Sequence, residues 1–266
     1  MLGFRDRISI VAWVAGLVLV VQPILLAPSW QITWFPFGTP LTVAVDRDFL
    51  LALLLFPALI GGTQWILRAW DVPDRGTRLR EGAWTLPLAV GWLALRLLPH
   101  QPTTRSWVVF LAGALLILAL TWHTLSRLLG KVPAEYPVGL VWRVLVFAVA
   151  GVLYLWLYGL RVRSLLATTQ MLVGTYLLAV SLWLSMSFSP RARWLYGLVV
   201  AFIVAQFAWA FRQIALGPLR GGLLLLLLFY MLTALVERGA RERLNARVMV
   251  EFTATVVLAL ILILLV

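Results

Sequence analysis

The sequence contains no cysteine, which excludes disulfides, zinc thiolates and thiol nucleophiles. Charge is scarce: 12% of residues are Asp, Glu, Lys or Arg, about half the share of a soluble domain. Lysine is almost missing, with Lys131 alone beside 21 arginines, a bias that accompanies GC-rich bacterial genomes. Only two histidines occur, His100 and His123. No Asp or Glu falls at the centre of a long apolar run. Proton- and cation-coupled carriers depend on an acid at that depth, so its absence argues against them.

What is present is hydrocarbon. The 266 residues are 63% hydrophobic with a mean hydropathy of +0.99. A water-soluble fold of this size cannot hide so much apolar surface, so the bilayer is the solvent. Crossing about 30 Å of hydrocarbon takes about 20 apolar residues per helix. On that measure the chain reads as an all-α, polytopic integral membrane protein in one bundle and one domain, 1–266. It has nine predicted spans, near 8–27, 49–68, 83–98, 107–126, 138–160, 165–187, 194–212, 219–236 and 248–266. Lipid offers backbone groups no partners, which requires helices here. Apolar runs such as Leu223 to Leu228 lack the alternation of barrel strands. The first run is too long for a signal h-region and its flank is a poor cleavage site, so it reads as an uncleaved anchor.

The net charge of +12 does not point to nucleic acid, because the arginines stand singly or in pairs between apolar runs. Arginine at helix ends, facing anionic headgroups, accounts for them. With nine spans and a cytoplasmic N-terminus, the inner side carries roughly twice as many basic residues as the outer. Keeping the short third segment inside makes the split nearly even. The reading is therefore a bacterial cytoplasmic membrane, N-terminus inside and C-terminus outside, with Arg96 snorkelling outward from the third span. Trp13, Trp92, Trp156 and Trp183 fall deep in spans, where they are expected to pack between helices, whereas Trp122 and Trp142 fall near span ends.

The densest charge is "VERGARERLNARVMVEF", residues 236–252. On a continuous helix Glu237 reaches Arg241, Arg238 reaches Glu242, and Arg247 reaches Glu251. The simple reading is a solvated helix turn at the inner surface. The functional one makes Arg238, Arg241, Arg243 and Arg247 a docking surface for a lipid headgroup or partner protein. Glu251 enters the last apolar run and needs Arg247 to be tolerated. Arg75, Arg78 and Arg80, in a turn with Pro73, Asp74 and Gly76, form a second basic loop of the same kind.

The longest outer connection alternates at Ile32 and Trp34 and again at Leu41, Val43 and Val45, with Gly38 and Pro40 between: a small β-hairpin. It ends in Asp46-Arg47-Asp48. These carboxylates either close the hairpin and cap the second helix or hold a divalent cation beside a phosphate. The motif resembles the acidic pairs in the first outer loop of membrane glycosyltransferases that use polyprenyl-phosphate sugars. That resemblance implies a lipid-linked glycosyl or phosphoryl transferase with Asp46 and Asp48 as catalytic candidates. Haem is not expected, because His100 and His123 fall on opposite membrane faces, roughly 30 Å apart; no metal or other cofactor is expected either. Inside the spans Gln206, Ser181 and Ser185 are read as packing groups between helices. Three functions follow, in order of preference. The first is a non-catalytic subunit or scaffold packing against membrane proteins or anionic lipid. The others are the transferase and a carrier or flippase for an amphipathic lipid.

Overall fold

The computed structural model describes residues 4–25, 30–34, 41–68, 81–129, 136–160, 164–186, 188–214 and 216–240. The chain divides into two compact units, Met1–Gly139 and Leu140–Val266.

The first unit opens with α1 (Phe4–Val21), followed by strands β1 (Trp30–Trp34) and β2 (Leu41–Val45) and then α2 (Arg47–Arg68), α3 (Thr85–Leu97) and α4 (Thr104–Leu129). The strands form an antiparallel ribbon in which Trp30 faces Val45, Ile32 faces Val43 and Trp34 faces Leu41. The same register pairs Gln31 with Ala44 and Thr33 with Thr42.

Local signals set the helix starts. The Asp46 side chain accepts a hydrogen bond from the Phe49 N–H at 2.9 Å and opens α2. Thr103 and Ser106 exchange side-chain and backbone bonds of 3.1 and 3.2 Å in a reciprocal cap before α4. α3 is the centre of this unit. It packs on α1, α2 and α4, and nine of its 13 residues are buried. Gly91 makes the α2 contact possible, since a Cβ there would strike the Leu59 side chain.

The second unit holds α5 (Tyr136–Gly159, in this unit from Leu140), α6 (Ser164–Leu182), α7 (Pro190–Gln213) and α8 (Pro218–Ala240). Ser189 caps α7 and Pro190 occupies its first turn, the position where a missing N–H costs nothing. α7 packs on α6 and α8. α5 is joined to α6 by the Tyr154–Thr175 hydroxyl pair at 3.1 Å, and to α8 by Phe147 and Tyr154 against Phe229.

The expected count of nine transmembrane helices is corrected. Among the described residues there are eight α-helices, and five are long and apolar enough to cross a membrane: Arg47–Arg68, Thr104–Leu128, Val138–Gly159, Pro190–Gln213 and Pro218–Ala240. The reasons are physical. α3 has 13 residues and covers only about 20 Å. The apolar part of α6 is Leu166–Leu182. α1 carries Arg5, Asp6 and Arg7 in its first turn. The segment 248–266 lies outside the described residues. The result is a multi-pass, α-helical membrane protein.

The tryptophans are also redistributed. Trp13 is 76% exposed on α1 instead of packed between helices, whereas Trp122 and Trp142 are buried. Their indoles find partners inside: Trp122 donates to Thr63 Oγ1 at 3.0 Å and Trp142 to the Ser181 carbonyl at 2.8 Å.

Candidate functional site

Polar side chains collect where helices end, because a helix leaves four carbonyls unpaired at its C-terminus and four N–H groups at its N-terminus. In the first unit such a cluster lies beside the ribbon. Asp48 stands between two arginines, with Arg96 Nη1 at 3.4 Å and Arg47 Nε at 3.6 Å. Arg96 comes from the last turn of α3, so the pair ties α3 to the start of α2. Gln22, 2% exposed, donates its amide N–H to the Leu95 carbonyl at 2.9 Å. The residue four beyond Leu95 is Pro99, which has no N–H to give that carbonyl. His100 Nδ1 lies 2.9 Å from the Arg96 carbonyl and completes the same end.

At the other end of α1 and α2, Arg7 donates to the Trp65 carbonyl at 3.0 Å, and its guanidinium sits 5.0 Å from the Trp65 ring centroid. A cation there serves the C-terminus of α2 by hydrogen bond and by dipole.

The second unit repeats this use of arginine. Arg212, at the end of α7, donates to the Leu157 carbonyl at 2.7 Å, while Tyr158 of α5 donates to the Phe211 carbonyl at 2.9 Å. Each helix therefore closes the other's C-terminus. Gly221 lies against the Tyr158 ring, where a Cβ would collide. Arg143 and Glu237 form an ion pair of 2.7 Å between α5 and α8. Charges within or beside a span are tolerated when paired in this way.

The candidate residues fall as follows. Asp46 and Asp48 are brought together with Arg47 and Arg96, and their carboxylates serve as a helix cap and an ion-pair partner. Ser181 is buried, with its hydroxyl on the Leu178 carbonyl at 2.8 Å. Ser185 lies in the 3₁₀ turn after α6, and Gln206 is exposed on α7. Arg238 is half-buried in the last turn of α8. Arg75, Arg78, Arg80, Arg241, Arg243, Arg247 and Glu251 lie outside the described residues. His100 precedes α4, whereas His123 is nineteen residues into it, about 28 Å along the axis. Among the described residues no group of three or more His, Asp or Glu is placed to hold a metal ion.

Sequence reasoning missed Gln22, Arg7 and the Arg143–Glu237 and Arg96–Asp48 pairs. A usable signal was there for the pairs, since opposite charges stand at matching ends of neighbouring segments. For Gln22 the signal was Pro99, which announces a carbonyl in need of a donor.

Residues 27–266 match the model of a family described as Protein of unknown function (DUF5656). The chain belongs to the DUF5656 family. No curated protein and no solved structure matches it. For this DUF5656 protein the chemistry of the site therefore stands on the geometry above, in which charged groups close and join helix ends.

Proposed function

We propose that the protein is a non-catalytic subunit or scaffold of a bacterial cytoplasmic membrane, packing against anionic lipid and a membrane protein partner. The observation that carries this reading is the employment of its acids. Asp46 caps α2, Asp48 pairs with Arg96, and Glu237 pairs with Arg143. A catalytic carboxylate has to be available to substrate or metal, whereas these three hold helices in place.

The excess of arginine supports an N-terminus on the cytoplasmic side and a C-terminus outside. On that side Arg75, Arg78, Arg80, Arg238, Arg241, Arg243 and Arg247 meet anionic headgroups, each contributing about 1 kcal/mol near the surface. The test is extraction from native membranes into polymer nanodiscs, followed by mass spectrometry of everything retained. A protein partner at fixed stoichiometry supports the scaffold reading. Metal-dependent turnover of a lipid-linked sugar, abolished by Asp46→Asn with Asp48→Asn, would replace it with the transferase.

A further inference from the structure

One end of the ribbon is fixed to a helix long and apolar enough to cross the membrane. β2 ends at Val45 and α2 begins at Arg47. Asp46 alone separates them, and its side chain caps the helix. One residue gives the strand no slack to leave the helix. The antiparallel register then sets Trp30 opposite Val45, about 5 Å away between Cα atoms. Trp30 therefore stands beside the start of α2.

α2 turns an exposed side outward. Phe49, Leu53, Pro57 and Gly61 are exposed at a spacing of four, which places them along one side of the helix. The exposed apolar surface does not stop where the helix starts. Trp30 is 68% exposed. Ile24, in the turn that ends α1 at the same end of the unit, is 72% exposed. The charged groups of this end, Arg47 and Arg96 around Asp48, mark the level at which hydrocarbon gives way to headgroups.

An indole suits that level and no other. Its ring is apolar and its N–H needs an acceptor, so water serves one half and hydrocarbon the other. The headgroup layer serves both. We propose that Trp30 and the base of the ribbon form a lipid-binding surface, seated in the headgroup layer of the leaflet in which α2 begins. The ring lies against the upper acyl chains and Nε1 donates to an ester or phosphate oxygen of a phospholipid. The bilayer is the occupant because the exposed side of α2 leads down from this same level into hydrocarbon. This goes beyond the scaffold reading and requires only that α2 crosses the membrane.

The absence of native cysteine makes the test clean. Trp30→Cys, Gln31→Cys and Leu54→Cys each receive one environment-sensitive nitrobenzoxadiazole label. The labelled proteins enter phosphatidylcholine–phosphatidylglycerol vesicles that carry a nitroxide either near the headgroup or near the acyl end. Gln31 is exposed too, but successive strand residues point to opposite faces, so it reports the side turned to water. The label at 30 should emit to the blue of that at 31 and be quenched by the shallow nitroxide more than the deep one. The label at 54, about 10 Å down α2, should respond more to the deep nitroxide. In the Gln31→Cys protein, Trp30→Ala should raise quenching by aqueous iodide, and Trp30→Phe should raise it less. Water-like emission at 30, with quenching at 54 alone, overturns the proposal. Blue-shifted emission at 30 that neither nitroxide quenches means that protein covers Trp30, and overturns it as well. No nitroxide quenching at 30 or 54 removes both the proposal and the crossing of α2, whereas the scaffold reading is decided separately by what the nanodiscs retain.

Discussion

Replacing Gln22 with leucine tests whether the interior of the first unit has been understood. Gln22 is 2% exposed and donates to the Leu95 carbonyl at 2.9 Å. That carbonyl has lost its ordinary helical donor because the residue four places on is Pro99. In Gln22→Leu it is left buried and unpaired, at a cost of about 1–3 kcal/mol. One compensation acts the other way. The Oε1 of Gln22 is itself buried without a hydrogen bond, and leucine removes it. The net loss should therefore sit near the lower end, about 1–2 kcal/mol. Pro99→Ala supplies the missing N–H four residues along, so Gln22→Leu should cost much less in that background. Denaturant titration in mixed micelles, followed by tryptophan fluorescence, measures all four corners of the cycle. Equal costs with and without Pro99, or no cost in either, would refute the account of Gln22 as the donor that replaces a proline's.

Arg143→Met or Glu237→Gln removes the 2.7 Å ion pair that joins α5 to α8. Each single variant should lose about 2 kcal/mol, and the double variant less than the sum, in the same titration. Gly222→Ala places a Cβ 2.9 Å from the Leu155 Cα, so α5 and α8 must separate; a loss of about 1–3 kcal/mol is expected, and a neutral result would mean that the helices are not in that contact. Asp46→Ala removes the α2 cap and should cost about 1 kcal/mol of stability, while the double Asn variant of Asp46 and Asp48 leaves the host pathway's activity unchanged; a loss of that activity without a loss of folded protein contradicts the structural role.

The start of α2 was legible because a cap is a local device, and Asp46 acts within three residues. The spans expected from 107 and 194 begin earlier, at Thr104 and Pro190, where Thr103 with Ser106 and Ser189 set the caps. The pairing of charges was not legible. Glu237 was expected to meet Arg241, which lies outside the described residues, and the structure brings Arg143 to it from another helix. Arg96 was expected to reach for the outer surface, and its partner there, Asp48, was not foreseen. Both are contacts across a bundle, and charge counting says which end of a span a residue occupies without saying which neighbour it meets.

By itself the sequence determined the solvent, the helical class and the rough place of each apolar segment, because hydropathy and the demand for internal backbone bonding are properties of composition and length. Only the tertiary structure decided how each helix is turned about its axis. A segment that is apolar on every side carries no signal for its own rotation. Thus Trp13 faces outward, Trp142 lies buried against Ser181, the short α3 is enclosed by its neighbours, and Gln206 stands on the exposed side of α7. Those rotations are set by the shapes that fit, such as Leu59 over Gly91 and Tyr158 over Gly221, and they leave Gln206 facing outward.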